Sequence, residues 1–209
     1  MPETVLHDYW RSSAAYRVRI ALNLLGLPHR PVPVDLLAGE QRGDANLARN
    51  PQGLVPTLYI DGHGLTQSLA ILEYLDETRG AGWLSGDAAA RARIRATAYA
   101  IAMDIHPVCN LRVARYAVSQ GAGMEGWMRH FIALGLEGVE GLLTADRAGR
   151  FCHGDRLTLA DICLVPQVYN ARRWDVDLSG FRRLAAIATT LEDLPPFAAA
   201  HPDRVRLTG

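Results

Sequence analysis

The pattern of apolar and polar residues changes near residue 80. Before that point, short apolar runs typical of β-strands alternate with segments that have the apolar spacing of helices. This alternation predicts a small α/β domain over residues 1–80. Its predicted elements are strand 4–8, helix 13–26, strand 30–34, helix 40–48, strands 57–60 and 63–66, and helix 67–79.

A second pattern begins after the glycine-rich segment 79–86, which we interpret as a linker. Long stretches such as 87–118 and 124–146 are helical in composition and lack the alternation of strands. Further along, Thr158-Leu159-Ala160-Asp161 has the form of a capping box that begins a helix. We therefore predict an all-helical domain over residues 87–209.

Composition narrows the class of protein. The formal net charge of zero gives no electrostatic reason to expect nucleic acid or an anionic membrane as a partner. No apolar run approaches the roughly 18 residues of a membrane span, and the N-terminus lacks a signal-peptide pattern, so we expect a soluble, cytoplasmic protein. All 22 basic residues are arginine, which excludes lysine Schiff-base chemistry and the P-loop lysine.

The three cysteines are Cys109, Cys152 and Cys163. Their odd number and the absence of C-x-x-C spacing argue against a disulfide framework, a redox pair or a zinc site, so we expect no metal. We interpret them as buried thiols. Cys109 follows His106 by three residues on a predicted helix, and a protein thiol nucleophile is therefore a weaker alternative.

The segment 50–73 has the features of a site for a small peptide. Pro56 lacks an N–H group and directly precedes an apolar strand. At the start of a strand, that N–H group is not required for hydrogen bonding within the sheet. Val55 is held extended by the proline that follows, which leaves its backbone groups available to a partner. Gln67-Ser68 begins a helix, whose N–H groups favour a carboxylate. An ordinary hairpin followed by a capped helix is the alternative.

A second segment, Trp10 to Leu22, reads WRSSAAYRVRIAL and follows a strand-like run. Together the two segments resemble glutathione S-transferases, most closely the zeta class, whose members include the maleylacetoacetate and maleylpyruvate isomerases. Two further matches follow in the family's order, one from Asp104 to Asn110 and one from Gly154 to Val168. The resemblance implies an α/β plus all-α protein: a thioredoxin-like N-terminal domain, a helical-bundle C-terminal domain, and assembly as a homodimer.

The sequence departs from the zeta pattern beside the paired serines. Ala14 and Ala15 stand where the class carries Cys and Ser, and Tyr16 replaces Trp. Any contribution of those side chains to the reaction is therefore missing. Ser12, with Ser13 as the alternative, is left to donate a hydrogen bond to a thiolate, and either serine could instead act only as a helix N-cap.

The resemblance implies glutathione as the cofactor. Its γ-glutamyl carboxylate would meet Gln67 and Ser68, and its cysteinyl backbone would pair with Val55 beside a cis Pro56. Gln41 would lie at the glycyl end. Asp104 would reach the ligand of the neighbouring subunit, although a solvated helix charge explains this residue equally well.

For the second substrate, the resemblance implies a short dicarboxylate held by arginines. A guanidinium fork matches a carboxylate, so converging arginines would hold both ends of a maleyl compound. Because the chain is rich in arginine, the alternative for each of these residues is an ordinary surface arginine with no role in binding. The implied residues are Arg11, Arg112, Arg172 and Arg173, with His106 and Asn110 in the same cleft on either side of a kink at Pro107.

The implied reaction is the cis-trans isomerisation of a maleyl keto acid, maleylacetoacetate or maleylpyruvate, in aromatic compound degradation. Glutathione would be regenerated and not consumed. Two alternatives belong to other classes of function. One is a zeta-like transferase or dehalogenase that consumes glutathione, and the other is a non-catalytic interaction module with the same fold.

Overall fold

The structure is a computed structural model that describes residues 3–145 and 149–206. The chain divides into two compact units. The first contains the residues up to Ala81 together with the segment from Pro195 onward, and the second is Gly82–Leu194.

The first unit is built on a four-stranded sheet. Its strands are β1 (Val5–Asp8), β2 (Arg30–Pro33), β3 (Thr57–Ile60) and β4 (His63–Thr66), in the spatial order β2-β1-β3-β4. β1 and β2 are parallel, whereas β3 is antiparallel to both of its neighbours. Asp61 and Gly62 connect β3 to β4, and their φ angles of 54° and 82° suit a tight hairpin.

The helical elements of this unit follow the predicted order with small differences at their ends. They are α1 (Ser13–Leu24), a 3-10 turn (Glu40–Arg42), α2 (Asp44–Leu47) and α3 (Ser68–Arg79). The predicted helix 40–48 is divided at Gly43, whose backbone is extended (φ −71°, ψ 153°). The core between sheet and helices includes Leu6, Leu58 and Leu72, all fully buried.

The second unit consists of helices and turns, as predicted. They are α4 (Ala88–Tyr99), a π-helical segment (Ala100–Ile105), α5 (His106–Val108), α6 (Leu111–Ser119), α7 (Met124–Ala145), α8 (Leu159–Arg173) and α9 (Arg182–Glu192). Among the described residues, its only β-pairing is an isolated bridge between Phe151 and Gly154. No helix in the described ranges is long and apolar enough to span a bilayer.

The stretch 87–118 is helical as predicted, but it is not a single helix. Pro107 has no N–H group to give to the preceding turn, and the backbone ahead of it widens into the π-helical segment. Asn110 then leaves helical geometry (φ −64°, ψ 140°) and becomes the N-cap of α6. His106 and Asn110 are consequently not one turn apart on a single kinked helix, because a helix end separates them.

The capping box of α8 is confirmed. The Asp161 carboxylate accepts hydrogen bonds from the Thr158 N–H and hydroxyl groups, both at 2.7 Å, and from the Cys152 N–H group at 2.8 Å. Burial raises the pKa of Asp161, and these hydrogen bonds offset part of that effect. The motif ties the loop before α8 to the first turn of the helix, a structural role.

The C-terminal segment differs from the predicted domain 87–209. Here α10 (Pro195–Ala200) and α11 (Pro202–Val205) belong to the first unit, with α10 packed against α1. Asn23 Nδ2 donates a hydrogen bond to the Pro196 carbonyl at 3.0 Å. Such contacts join residues at opposite ends of the chain, and local sequence patterns carry no information about them.

Candidate active site

Three segments of the first unit meet beyond one end of its sheet. His7 of β1 pairs with Thr57 of β3, and Thr57 pairs with Thr66 of β4. The end of β1, the start of β3 and the end of β4 therefore lie at the same end of the sheet, which we call the sheet edge. The segments that continue from these strand ends contain Ser12, Val55-Pro56 and Gln67-Ser68, so the register brings the predicted candidates together.

Two helices also begin at this edge. α1 starts at Ser13 and α3 starts at Ser68, each directly after a segment that leaves the sheet there. A helix N-terminus carries a partial positive charge and N–H groups without intrahelical partners. The edge is thus suited to an anionic ligand, such as a carboxylate or a thiolate.

Ser12 is the N-cap of α1. Its Oγ accepts a hydrogen bond from the Ala15 N–H group at 3.3 Å, and the side chain is half-buried. A hydroxyl that accepts in this way keeps its proton for donation to another group. The capping role and the thiol-activating role are therefore compatible. Ser13 is the first residue of α1 and is 8% exposed.

Val55 and Pro56 are joined by a cis peptide bond, in agreement with the prediction. β3 begins only at Thr57, so Val55 lies outside the ladder of the sheet. Val55 is half-buried and Pro56 is buried. Backbone groups that lie outside the ladder remain available to pair with a short peptide.

Gln67 and Ser68 occupy the start of α3. Gln67 has a φ of +67°, a conformation uncommon for a residue with a side chain, and its Nε2 donates to Gln52 Oε1 at 2.6 Å. Ser68 is 6% exposed, and its Oγ accepts from the Arg17 guanidinium at 3.2 Å. Sequence reasoning missed Arg17 and Gln52. A signal for Arg17 existed, because it is a charged residue inside an apolar helical run.

Two buried asparagines hold the Gln41 turn and the residues that precede Val55. Asn46 Nδ2 donates to the Gln41 carbonyl at 3.0 Å, and Asn50 Nδ2 donates to the Leu54 carbonyl at 3.1 Å. Gly53 has a φ of +63°, and a Cβ there would lie 3.1 Å from the Gln41 carbonyl oxygen. The turn that carries Gln41 is therefore packed directly on the residues that precede Val55.

The second unit holds most of the candidates for the second substrate. His106 on α5 is half-buried, and Arg112 on α6 is exposed. Asn110 accepts a hydrogen bond from the Arg112 N–H group at 3.1 Å through Oδ1, which is a capping contact. Asp104 is exposed in the π-helical segment. Arg11 belongs to the first unit, with its guanidinium over the Trp10 ring.

Arg172 and Arg173 end α8, and each has a local partner. Arg172 forms a salt bridge with Glu192 at 2.5 Å. The Arg173 guanidinium lies 4.7 Å from the centroid of the Trp174 ring. The charge of Arg172 is therefore already balanced by a carboxylate, which weakens it as a candidate for substrate binding.

The cysteines do not provide a nucleophile. Burial raises the pKa of Cys109 to about 11, so its thiol is protonated at neutral pH. Cys152 and Cys163 are fully buried. Within the described residues there is also no group of three or more His, Cys, Asp or Glu side chains placed to hold a metal ion.

Comparison with known proteins agrees with this geometry. Residues 6–83 match the family described as Glutathione S-transferase, N-terminal domain. Maleylacetoacetate isomerase of Rhizobium meliloti (strain 1021) is 59% identical over 209 residues, with 98% of each chain covered. The chain belongs to the glutathione S-transferase family. The predicted thioredoxin-like domain followed by a helical domain is confirmed for this family member.

Solved structures place the chain within the zeta class of that family. A bacterial maleyl pyruvate isomerase of the zeta class has a TM-score of 0.92 at 40% identity, covering 96% of this chain and 97% of its own. Maleylacetoacetate isomerase of Methylobacterium extorquens AM1, solved with bound malonate and glutathione, has a TM-score of 0.92 at 40% identity. That match covers 97% of this chain and 98% of the other.

Proposed function

We propose that this transferase family member is a glutathione-dependent cis-trans isomerase acting on a maleyl keto acid, maleylacetoacetate or maleylpyruvate, in aromatic compound degradation. The observation that carries the proposal is the 59% identity to a maleylacetoacetate isomerase along 98% of the chain. The two helix N-termini at the sheet edge, and Val55 outside the ladder beside the cis Pro56, fit a small anionic peptide such as glutathione.

In this proposal the first unit binds glutathione at the sheet edge. Ser68, with Gln67 beside it, holds the γ-glutamyl carboxylate at the N-terminus of α3. The buried Arg17 guanidinium lies behind the Ser68 hydroxyl and adds positive charge there. The backbone of Val55 pairs with the cysteinyl residue, and Gln41 meets the glycyl end.

Ser12 favours the ionised form of the glutathione thiol. A cysteine thiol has a reference pKa of about 8.5 and is mostly protonated at neutral pH. A hydroxyl that donates to sulfur and a helix N-terminus that faces it both favour the anion. When bound, glutathione would supply the thiolate for a reversible addition to the cis double bond, and elimination of the same thiolate after rotation would give the trans isomer.

The arginines hold the substrate carboxylates in this proposal. Arg11 and Arg112 are the first candidates of the four, since the charge of Arg172 is already balanced by Glu192. Their guanidinium groups bind carboxylates in two-pronged geometry and fix the reacting double bond in position. His106 and Asn110 take part in the same recognition.

A homodimer is also part of the proposal. Asp104 would complete the glutathione site of the neighbouring subunit. Its neighbour in the chain, Met103, is 58% exposed, and Leu134 on α7 is 56% exposed, so this unit presents apolar side chains at its surface. Light scattering at micromolar concentration tests the dimer. A monomeric mass would remove both the dimer and the role of Asp104.

The reaction is tested by ultraviolet absorbance of maleylacetoacetate and of maleylpyruvate, each with and without glutathione. We expect one of them to lose absorbance only when glutathione is present, with the thiol concentration unchanged at the end. Stoichiometric loss of the thiol would instead indicate the transferase or dehalogenase alternative. No turnover of either compound would contradict the proposed substrate class.

A further inference from the structure

Arg19 connects three separate parts of the first unit from a buried position on α1. Its side chain is 4% exposed. Nη1 forms a salt bridge with the Asp8 carboxylate at 2.5 Å, Nη2 donates to the Trp10 carbonyl at 2.9 Å, and Nε donates to the Ala200 carbonyl at 3.1 Å. One guanidinium thus joins the end of β1, the loop after it, and the end of α10.

The loop that Arg19 holds is the one that carries Ser12. Trp10 lies two residues before Ser12, and the Ser12 N–H group donates to the Tyr9 carbonyl at 2.8 Å, closing a tight turn. A displacement of the Trp10 carbonyl would move this turn and with it the Ser12 hydroxyl. Arg19 is therefore linked to the turn that carries Ser12 by its hydrogen bond to the Trp10 carbonyl.

The C-terminal segment reaches the same loop a second time. The Arg206 guanidinium lies 4.9 Å from the centroid of the Trp10 ring. A cation over an indole face is a favourable contact even at an exposed position. Trp10 is therefore linked to the C-terminal segment both through its carbonyl, by way of Arg19 and Ala200, and through its ring.

We propose that Arg19 is a positioning residue for thiol activation, and that the segment 195–206 acts on Ser12 through it and through Arg206. This inference rests on the proposed function, in which Ser12 donates to the glutathione sulfur. Lysine cannot replace arginine here. A single ammonium can pair with Asp8, but it lacks the planar set of donors that reaches both carbonyls as well.

The test compares Arg19→Lys with Asn23→Ala. The second variant removes the hydrogen bond between α1 and the Pro196 carbonyl, and so loosens the same packing without touching the Trp10 loop. For each protein, the pKa of bound glutathione is measured from thiolate absorbance against pH. Glutathione affinity is measured by calorimetry and the melting temperature by circular dichroism.

For Arg19→Lys we expect a raised thiol pKa and turnover lowered by roughly tenfold or more, with glutathione affinity unchanged. For Asn23→Ala we expect a lower melting temperature and the wild-type thiol pKa. An unchanged thiol pKa in Arg19→Lys would overturn the inference. An equal shift of the thiol pKa in both variants would also overturn it, because Arg19 would then affect the thiol only through general packing.

If Arg19→Lys does not fold, Arg206→Gln tests the inference instead. This residue is exposed, and we expect a smaller rise of the thiol pKa in the same direction. No rise would overturn the inference. Failure of the proposed function is distinguishable from failure of this inference. If the wild-type protein binds glutathione but does not isomerise a maleyl keto acid, the proposed reaction is wrong and the comparison of thiol pKa values still tests Arg19. If the wild-type protein binds no glutathione, both the proposed function and this inference are wrong.

Discussion

Arg17 and Ser68 lie 51 positions apart in the chain, and the Arg17 guanidinium donates a hydrogen bond to the Ser68 hydroxyl at 3.2 Å. Both residues are buried, with 1% and 6% of their surfaces exposed. The contact joins α1 to the first turn of α3. It places a cation behind a hydroxyl at a helix N-terminus, an arrangement that favours a carboxylate ligand.

Ser68→Ala should weaken glutathione binding by roughly 1–3 kcal/mol. The expected loss is that of one hydrogen bond to a charged group. Calorimetry measures it directly. Ser119→Ala, an exposed serine on α6, is the control and should leave the affinity unchanged. Wild-type affinity in the Ser68 variant would refute the assignment of the carboxylate to this position.

Ser12→Ala should lower turnover far more than it lowers glutathione affinity. Its hydroxyl stabilises the charge on sulfur and does little to hold the peptide. Because Ala14 and Ala15 offer no polar side chain, Ser13 is the adjacent hydroxyl that could substitute. Steady-state kinetics on Ser12→Ala, Ser13→Ala and the double variant separate the two. Full isomerase activity in the double variant would exclude both serines from thiol activation.

Arg112→Ala should raise the KM for the dicarboxylate and leave glutathione binding alone. The side chain is exposed on α6 and is proposed to hold one carboxylate of the substrate. Arg115→Ala removes another exposed arginine from the same helix and is the matched control. Equal effects of the two substitutions on KM would point to a general loss of positive charge, contrary to a specific role for Arg112.

The native thiols should react slowly with iodoacetamide at mildly alkaline pH. Because the pKa of Cys109 is raised to about 11 by burial, the reactive thiolate forms only as pH approaches that value. The labelling rate should therefore keep rising beyond the point at which an ordinary thiol, with a pKa of about 8.5, reaches its plateau. Unfolding should expose all three cysteines. Rapid labelling of Cys109 at neutral pH would revive the protein-thiol alternative.

Gly135→Ala should destabilise the protein by about 1–3 kcal/mol. A Cβ at Gly135 would overlap Ile105 Cγ1 and lie 2.7 Å from its Cδ1, where α7 packs on the π-helical segment. Gly138→Ala on the same helix meets nothing within 4 Å and is exposed, so we expect up to about 1 kcal/mol of stabilisation from helix propensity. Urea unfolding measures both.

A double variant checks the cause of the Gly135 effect. Ile105→Ala removes Cγ1 and Cδ1, the two atoms that the new Cβ would approach most closely. In a double-mutant cycle, Gly135→Ala should therefore cost less in the Ile105→Ala background than in the wild type. Simple additivity of the two losses would show that the contact with Ile105 is not responsible.

Several elements of both units were predictable from local patterns. Val55-Pro56 before an apolar run, Asp61-Gly62 between two strands, and Thr158 with Asp161 at a helix start each express a backbone preference within a few residues. The backbone geometry of these segments in the structure agrees with those preferences. Local patterns did not reveal the π-helical segment before Pro107, because its course depends on packing against α7 as well as on the missing N–H group.

The sequence by itself determined which segments form strands and helices, and the paired serines and the Val55-Pro56 segment pointed to the glutathione S-transferase family. Only the tertiary structure decided how the ligand-binding edge is assembled. Strand register brings Ser12 and Ser68 to one edge, and burial turns Arg17 and Arg19 from ordinary helix residues into partners of distant groups. The physical reason is that hydrogen-bond partners and burial are set by packing between remote segments, whereas element type is set by neighbours within a few residues.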